Sequence, residues 1–99
     1  MYQLIIRPEA QEDMDHATQY YENRVPGKGA ELIDEIKGKL KGLQSTPEMH
    51  QQLEFGVRRS NLKRFPYSLV YLVNNDLELV EILAFVHFRQ SNTHWLTRI

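Results

Sequence analysis

Two helical stripes of apolar residues, with Pro26-Gly27-Lys28-Gly29 between them, dominate the first half of this 99-residue chain. The first stripe follows Pro8, and proline suits the first helical position because its missing N–H would be unpaired there anyway. Apolar residues recur at spacings of three and four, the period of a helix that buries one face. The stripes consist of Ala10, Met14, Ala17 and Tyr21, and of Ile33, Ile36, Leu40 and Leu43. They predict an antiparallel helical hairpin whose second helix begins near Ala30 and is ended by Ser45-Thr46-Pro47.

Strand patterns precede and follow this hairpin. Four strands are predicted, at Tyr2 to Arg7, Leu53 to Leu62, Tyr67 to Val73 and Leu77 to Phe88. Asn74-Asn75-Asp76 tolerates positive φ and predicts a hairpin turn between the last two strands. The inward face of the fourth strand is predicted as Val80, Ile82, Ala84, Val86 and Phe88. The fold class is therefore α+β, of β-α-α-β-β-β order, with the helical hairpin packed on a mostly antiparallel four-stranded sheet.

Length and composition exclude several classes of protein and of binding site for this chain. Ninety-nine residues form one small domain, residues 1–99, and the absence of cysteine excludes disulfides and thiolate metal sites. No apolar stretch approaches the roughly 18 residues that a membrane helix needs. The four histidines lack the spacing of a metal site, and no glycine-rich phosphate loop follows a strand. We expect a soluble cytoplasmic protein that uses no metal or cofactor and has no membrane partner.

Charge is uneven along the chain, although the net charge is only −1. Residues 1–55 hold ten acids and six bases, whereas residues 56–99 hold three acids and six bases. The excess of base in the second half favours an anionic partner for that half. Ordinary scatter of charge on a small sheet is the alternative.

Four bases, Arg58, Arg59, Lys63 and Arg64, lie within seven residues on and just after the second predicted strand. Alternation along a strand places Arg58 and Arg59 on opposite faces, so the four bases do not all serve one site. They can bind phosphates or a carboxylate-rich partner through charge-assisted hydrogen bonds. Solvated charge that discourages edge-to-edge aggregation is an equally good interpretation.

Two groups near the C-terminus carry chemistry. His87 and Arg89 share one face of the fourth strand if alternation continues, and an imidazole beside a guanidinium can support RNA transesterification. A structural histidine and a surface arginine are the alternative. Trp95 and Arg98 form an aromatic and basic tail that can stack on a base or anchor a protein partner. More plainly, Trp95 packs the tail back on the sheet.

In this order and spacing, Pro8, Arg58-Arg59, Phe65-Pro66-Tyr67-x-x-x-Tyr71 and His87-x-Arg89 resemble the RelE/ParE superfamily of bacterial toxins. The resemblance covers nearly the whole chain. It implies the toxin of a type II toxin–antitoxin pair, held in a hetero-oligomer by a cognate antitoxin whose C-terminal segment, often helical, wraps the toxin. It also implies a bacterial cytoplasmic location.

The RelE-like branch of this superfamily cleaves messenger RNA on the ribosome, without a metal, using sheet Lys and Arg residues and a late Tyr or His. By position, Lys63 and Arg89 resemble two of those basic residues, and His87 offers an acid–base group. RelE-like members tend to place a tyrosine six residues after the position of Arg89, where this chain has Trp95. An indole has no proton to transfer in this range.

The ParE-like branch lacks that nuclease set and binds DNA gyrase, trapping it on cleaved DNA. The Phe-Pro-Tyr strand, the long hairpin and the His-x-Arg ending resemble this branch more closely. We therefore predict a gyrase-binding toxin that is not an enzyme. Its target- or antitoxin-binding residues are predicted as Arg58, Arg59, Lys63, Arg64, His87, Arg89, Trp95 and Arg98. The alternatives are a messenger-RNA endonuclease and a homologue that has lost toxicity and only binds its antitoxin.

Overall fold

A computed structural model describes residues 1–48, 51–52, 56–90 and 94–98 of the chain. Its elements are β1 (Gln3–Ile6), α1 (Pro8–Arg24), α2 (Lys28–Ser45), β2 (Gln51–Gln52), β3 (Arg58–Asn61), β4 (Tyr67–Asn74), β5 (Leu79–His87) and a 3₁₀ turn (His94–Arg98). The five strands form one sheet in the order β1-β5-β4-β3-β2. β1 runs parallel to β5, and the other neighbouring strands are antiparallel. The predicted α+β fold is confirmed, with the two-residue β2 as an addition at one edge; the predicted start of the second strand, residues 53–55, lies outside the described residues.

The connection between the helices explains how tightly they turn. Gly27 has a φ of +93°, a left-handed conformation that costs other residues energy. The Glu22 carboxylate accepts the N–H of Gly27 at 3.1 Å and that of Gly29 at 3.0 Å. An anion is favourable at this position because the first N–H groups of α2 have no intrahelical partner. These contacts close the hairpin and let α2 begin at Lys28, two residues before the predicted start.

The main core lies between the hairpin and one face of the sheet. Its buried side chains are Ala10, Met14, Ala17, Leu32, Ile36, Leu43, Leu62, Phe65, Leu69, Tyr71, Val80, Ile82 and Phe85. Both predicted stripes contribute to it, although Ile33 is exposed and Tyr21 and Leu40 lie at its margin. Burial of these apolar surfaces is the principal source of stability for the domain.

A β-bulge in β5 changes which of its residues face the helices. Val70 pairs with Ala84 and Tyr71 pairs with Ile82, so Leu83 is an extra residue in the ladder. Alternation therefore changes phase there, and Val80 and Ile82 before the bulge share the helical side with Phe85 after it. The predicted inward face is right for Val80 and Ile82 but wrong for Ala84 and Val86, which lie on the opposite side of the sheet. It is also wrong for Phe88, which lies beyond β5 and is 47% exposed.

The opposite face of the sheet carries a second, smaller core. Trp95 of the 3₁₀ turn covers it and is 3% exposed, and the remaining members are Val57, Val70, Leu83, Ala84 and Val86. The tail, for which the sequence shows no clear period, thus packs back on the sheet. None of the helices in the described part of the chain is long and apolar enough to cross a membrane.

Replacing Tyr71 by phenylalanine is expected to lower the free energy of unfolding by about 1 kcal/mol at neutral pH. The Tyr71 hydroxyl is buried and donates to the Pro47 carbonyl oxygen at 2.8 Å, tying the segment after α2 to the sheet. Burial raises the pKa of Tyr71 to about 12 from its ordinary value of 10.0. A folded-state pKa above the unfolded value contributes stability that is present below about pH 10 and is lost as the pH rises toward 12.

Urea unfolding followed by circular dichroism from pH 7 to pH 11.5 tests this. The variant should lose less stability than the parent between pH 10 and pH 11.5. Burial also raises the pKa values of Tyr21 and Tyr67, so part of the alkaline loss remains. Parallel curves for the two proteins over this range would contradict the assignment to Tyr71.

Candidate functional site

The two arginines of β3 lie on opposite faces of the sheet, as strand alternation predicts. Arg58 pairs with Tyr71 on the helical side, and its guanidinium donates to the Glu48 carbonyl oxygen at 3.2 Å. Arg59 pairs with Val70 on the other side, and its Nε donates to Ser68 Oγ at 2.9 Å. Burial lowers the pKa of Arg59, which stays positively charged. The two side chains therefore belong to different surfaces.

The loop after β3 is held against α2 by Glu35. The carboxylate of Glu35 accepts the backbone N–H groups of both Lys63 and Arg64. The Arg64 guanidinium lies 3.6 Å from Glu35 and 3.8 Å from Glu31, so nearby carboxylates offset its charge. Lys63 is exposed and its ammonium forms no ion pair with any residue that the structure describes. Of these two predicted binding residues, Lys63 presents its charge to solvent and Arg64 mainly fastens the loop.

His87 ends β5 and organises the turn that follows. Its Nδ1 accepts the Arg89 N–H at 3.0 Å, and its backbone N–H donates to Gln90 Oε1 at 2.7 Å. With Nδ1 acting as an acceptor, the neutral imidazole carries its proton on Nε2. Phe88 N–H donates to the Pro66 carbonyl oxygen at 2.8 Å, which joins this turn to the loop that contains Lys63. Arg89 lies in the turn, beyond the end of β5, so alternation along the strand does not determine its direction; it is exposed.

A row of aromatic rings runs from α1 to the end of the sheet. Its members are Tyr20, Tyr21, Phe65, Tyr67, Phe85 and His87. Tyr67 stacks on Phe85 with ring centroids 4.8 Å apart, and the His87 ring meets Tyr67 edge to face at 5.1 Å. Burial, then the neighbouring Tyr21 and Tyr20, raise the pKa of Tyr67, so its phenol is neutral at physiological pH. The row fixes the position of His87 relative to α1.

Beside this row, α1 and the end of the sheet enclose a cleft of about 330 Å³, here called the His87 cleft. It is lined by Asp13, His16, Ala17, Tyr20, Tyr67, Phe85, His87 and Gln90. Among the predicted functional residues only His87 lies in it. His16 and Tyr20 were missed, although their spacing of four on an exposed helix face is the signal that places them side by side.

The last two predicted residues of the tail have structural contacts. Arg98 Nη1 lies 2.7 Å from Asp13 Oδ2 and donates to the Leu83 carbonyl oxygen at 3.0 Å. The same Asp13 oxygen accepts the Phe85 N–H at 3.2 Å. β1 pairs with β5 only as far as Ile82, so Asp13 and Arg98 satisfy the backbone edge that β1 leaves open. Trp95 fills the second core, and both residues are therefore bound within the fold.

No group of three or more His, Asp or Glu side chains within the described ranges is placed to hold a metal ion. The site that the structure assembles is thus the His87 cleft with the exposed Lys63 and Arg89 near the same end of the sheet. Its groups can donate hydrogen bonds, stack on planar groups and, through the imidazoles, carry protons.

Comparison with known proteins finds one matching family model and several solved structures of similar fold. The family model described as "ParE toxin of type II toxin-antitoxin system, parDE" matches residues 4–92. The chromosomal ParDE system of P. aeruginosa is 25% identical, with a TM-score of 0.75, over 88% of this chain and 96% of that chain. The intact E. coli RelBE complex is 17% identical, with a TM-score of 0.69, over 91% and 100% of the two chains. The Mycobacterium tuberculosis RelBE2 complex is 19% identical, with a TM-score of 0.59, over 87% and 90%. No curated protein sequence is similar enough to count as a match.

Proposed function

This chain belongs to the ParE toxin family of type II toxin–antitoxin systems, and on that premise we propose that it poisons DNA gyrase by binding it. A cognate antitoxin neutralises it, as the ParDE and RelBE names of its structural neighbours suggest. Both partners meet it in the bacterial cytoplasm. In this proposal the toxin contributes a binding surface, and no residue of the chain reacts chemically.

The observation that carries the choice of gyrase over messenger RNA is the burial of Trp95. RelE-like nucleases tend to place a proton-transferring tyrosine six residues after the position of Arg89, and Trp95, which stands there in this chain, is 3% exposed within the second core. An indole neither gains nor loses a proton near neutral pH, and a buried one does not reach a substrate. The neighbouring tail residue Arg98 is held by Asp13 and Leu83. The tail therefore stabilises the fold and supports a function that rests on binding alone.

The binding surface is proposed to include the exposed Lys63 and Arg89. Both cations lie near the end of the sheet where the β3–β4 loop meets the turn after β5. Gyrase that has cleaved DNA presents phosphates next to protein, and exposed cations strengthen attachment to such a surface. Tyr20, which lines the cleft beside His87, and Phe88, which follows His87, are each 47% exposed and add apolar area at this end of the sheet.

Replacing Lys63 and Arg89 together by alanine is expected to raise the concentration for half-inhibition of gyrase about tenfold, because both charges are solvent-exposed. The measurement uses purified protein in a supercoiling assay, with linear DNA scored as the trapped cleavage product. The control is the Lys37→Ala, Lys41→Ala double variant, which removes two exposed cations from α2 instead. The control should inhibit like the parent. Absence of gyrase inhibition by the parent protein itself would overturn the proposed function.

A messenger-RNA endonuclease remains the second candidate because of one observation. His87 presents Nε2–H at the same end of the sheet as Lys63 and Arg89, and His16 lies in the same cleft. Pulse labelling of protein and DNA synthesis after induction separates the two functions. The gyrase proposal expects replication to stop first. Prompt arrest of translation with intact replication, abolished by His87→Ala, would establish the nuclease instead.

A further inference from the structure

The His87 cleft holds polar groups that the fold leaves without hydrogen-bond partners. Within the described residues, no hydrogen bond involves the hydroxyls of Tyr20 and Tyr67, the imidazole of His16 or Nε2 of His87. His87 Nε2 carries a proton because Nδ1 is occupied by the Arg89 N–H. Both phenols are also donors at neutral pH. The cleft therefore offers three donors, and a fourth from His16, to a bound acceptor.

The one carboxylate in the cleft is already neutralised. Asp13 Oδ2 lies 2.7 Å from Arg98 and accepts the Phe85 N–H, and its side chain is 23% exposed. Two cations lie close to residues that line the cleft. The Arg24 guanidinium lies 3.7 Å from the centroid of the Tyr20 ring, and Arg89 follows His87 by two residues. Inside the cleft, the neutral donors and the offset charge of Asp13 complement a hydrogen-bond acceptor that bears negative charge.

We propose that the His87 cleft binds one Asp or Glu side chain of a protein partner. Its volume of about 330 Å³ is at the low end for a ligand site and suits one side chain. Tyrosine-lined surfaces are also typical of protein interfaces, since the ring packs while the hydroxyl hydrogen-bonds. The inference deepens the proposed function, because it assigns to the toxin's binding surface a contact with a carboxylate on gyrase or the antitoxin.

A nucleic acid is the less suitable occupant. Glu9 and Glu12 lie four residues before Asp13 and His16 on α1, so they occupy the helix face that borders the cleft. A backbone with a phosphate on every nucleotide would pass these carboxylates, whereas a single side chain enters without following the helix.

Titration of aromatic-ring signals by nuclear magnetic resonance at pH 7.5 and constant ionic strength tests the proposal. The probes are N-acetyl-glutamate N-methylamide, the corresponding glutamine compound and adenosine 5′-monophosphate. Signals of His16, His87, Tyr20 and Tyr67 should shift saturably with the glutamate probe. The glutamine compound is expected to bind at least about fivefold more weakly, because it lacks the charge.

The matched variants are Tyr20→Phe with Tyr67→Phe, against Tyr21→Phe. Tyr21 belongs to the same aromatic row but does not line the cleft. The double variant should lose about tenfold in affinity for the glutamate probe, and the control should match the parent. If the double variant does not fold, the single Tyr20→Phe variant, at a half-exposed position, replaces it in the titration with the glutamate probe.

Three results would overturn the proposal. These are no shift with the glutamate probe, equal binding of the glutamine compound, and tighter binding of adenosine monophosphate. The last result would assign the cleft to a nucleotide. Because the probes contain neither gyrase nor antitoxin, the result of the titration does not depend on the result of the gyrase assay. A toxin that fails to inhibit gyrase can still show the carboxylate site, and the converse also holds.

Discussion

Replacement of Trp95 by alanine is expected to lower the free energy of unfolding by about 3–5 kcal/mol. Trp95 is 3% exposed and packs against Val70, Leu83 and Val86 on the sheet face opposite the helices. Truncation opens a cavity there and exposes the apolar strands that the 3₁₀ turn covers. Urea unfolding followed by circular dichroism is the measurement, since Trp95 is the only tryptophan and its fluorescence is lost in the variant.

Two further variants show whether the loss comes from packing. Trp95→Phe should cost much less, because the indole Nε1 has no hydrogen-bond partner in the described part of the chain and a ring still fills most of the space. Phe88→Ala removes a half-exposed aromatic from the preceding turn and should change stability by no more than about 0.5 kcal/mol. If Trp95→Ala is as mild as Phe88→Ala but abolishes partner binding, Trp95 is an interface anchor and the case against the nuclease weakens.

The helices could be predicted because their signals are local. Pro8 and the spacing of apolar residues specify α1, and Gly27 with Gly29 places the turn within a few residues. The faces of β5 could not be predicted from alternation alone, because the bulge at Leu83 depends on pairing with Val70 in another strand. One inserted residue reverses every later position, which moved Ala84 and Val86 to the second core.

In the candidate site, too, some residues could be predicted from the local sequence and others depend on long-range contacts. His87 and the basic loop could be singled out because histidine and clustered bases carry chemistry wherever they lie. His16 and Tyr20 could not, since the cleft forms only where α1 crosses the end of β5. The role of Arg98 also escaped prediction, because its partner Asp13 lies 85 residues away in the sequence. Long-range contacts, rather than residue type, decide which bases remain available for binding.

Asp13→Ala is the second variant with a large expected effect, a loss of about 2–3 kcal/mol in the free energy of unfolding. It leaves the Arg98 guanidinium, 16% exposed, without its carboxylate and leaves the Phe85 N–H without an acceptor. Removing one partner of a buried ion pair costs more than removing an exposed one, because the remaining charge stays desolvated. The expected loss of stability is smaller than for a fully buried ion pair, because water reaches the side chains of both Asp13 and Arg98.

Hydrogen exchange and a double-mutant cycle separate this contact from general packing. The Phe85 amide should exchange much faster in Asp13→Ala, while amides paired to β4 keep their protection. The cycle of Asp13→Ala with Arg98→Ala should give a coupling energy above about 1 kcal/mol. The matched control is the Arg7–Glu81 pair, 3.2 Å apart and about one-third exposed on each side, whose coupling should not exceed about 1 kcal/mol. Equal coupling in the two pairs would mean that the tail is not fastened through Asp13, and Arg98 would then be available to a partner.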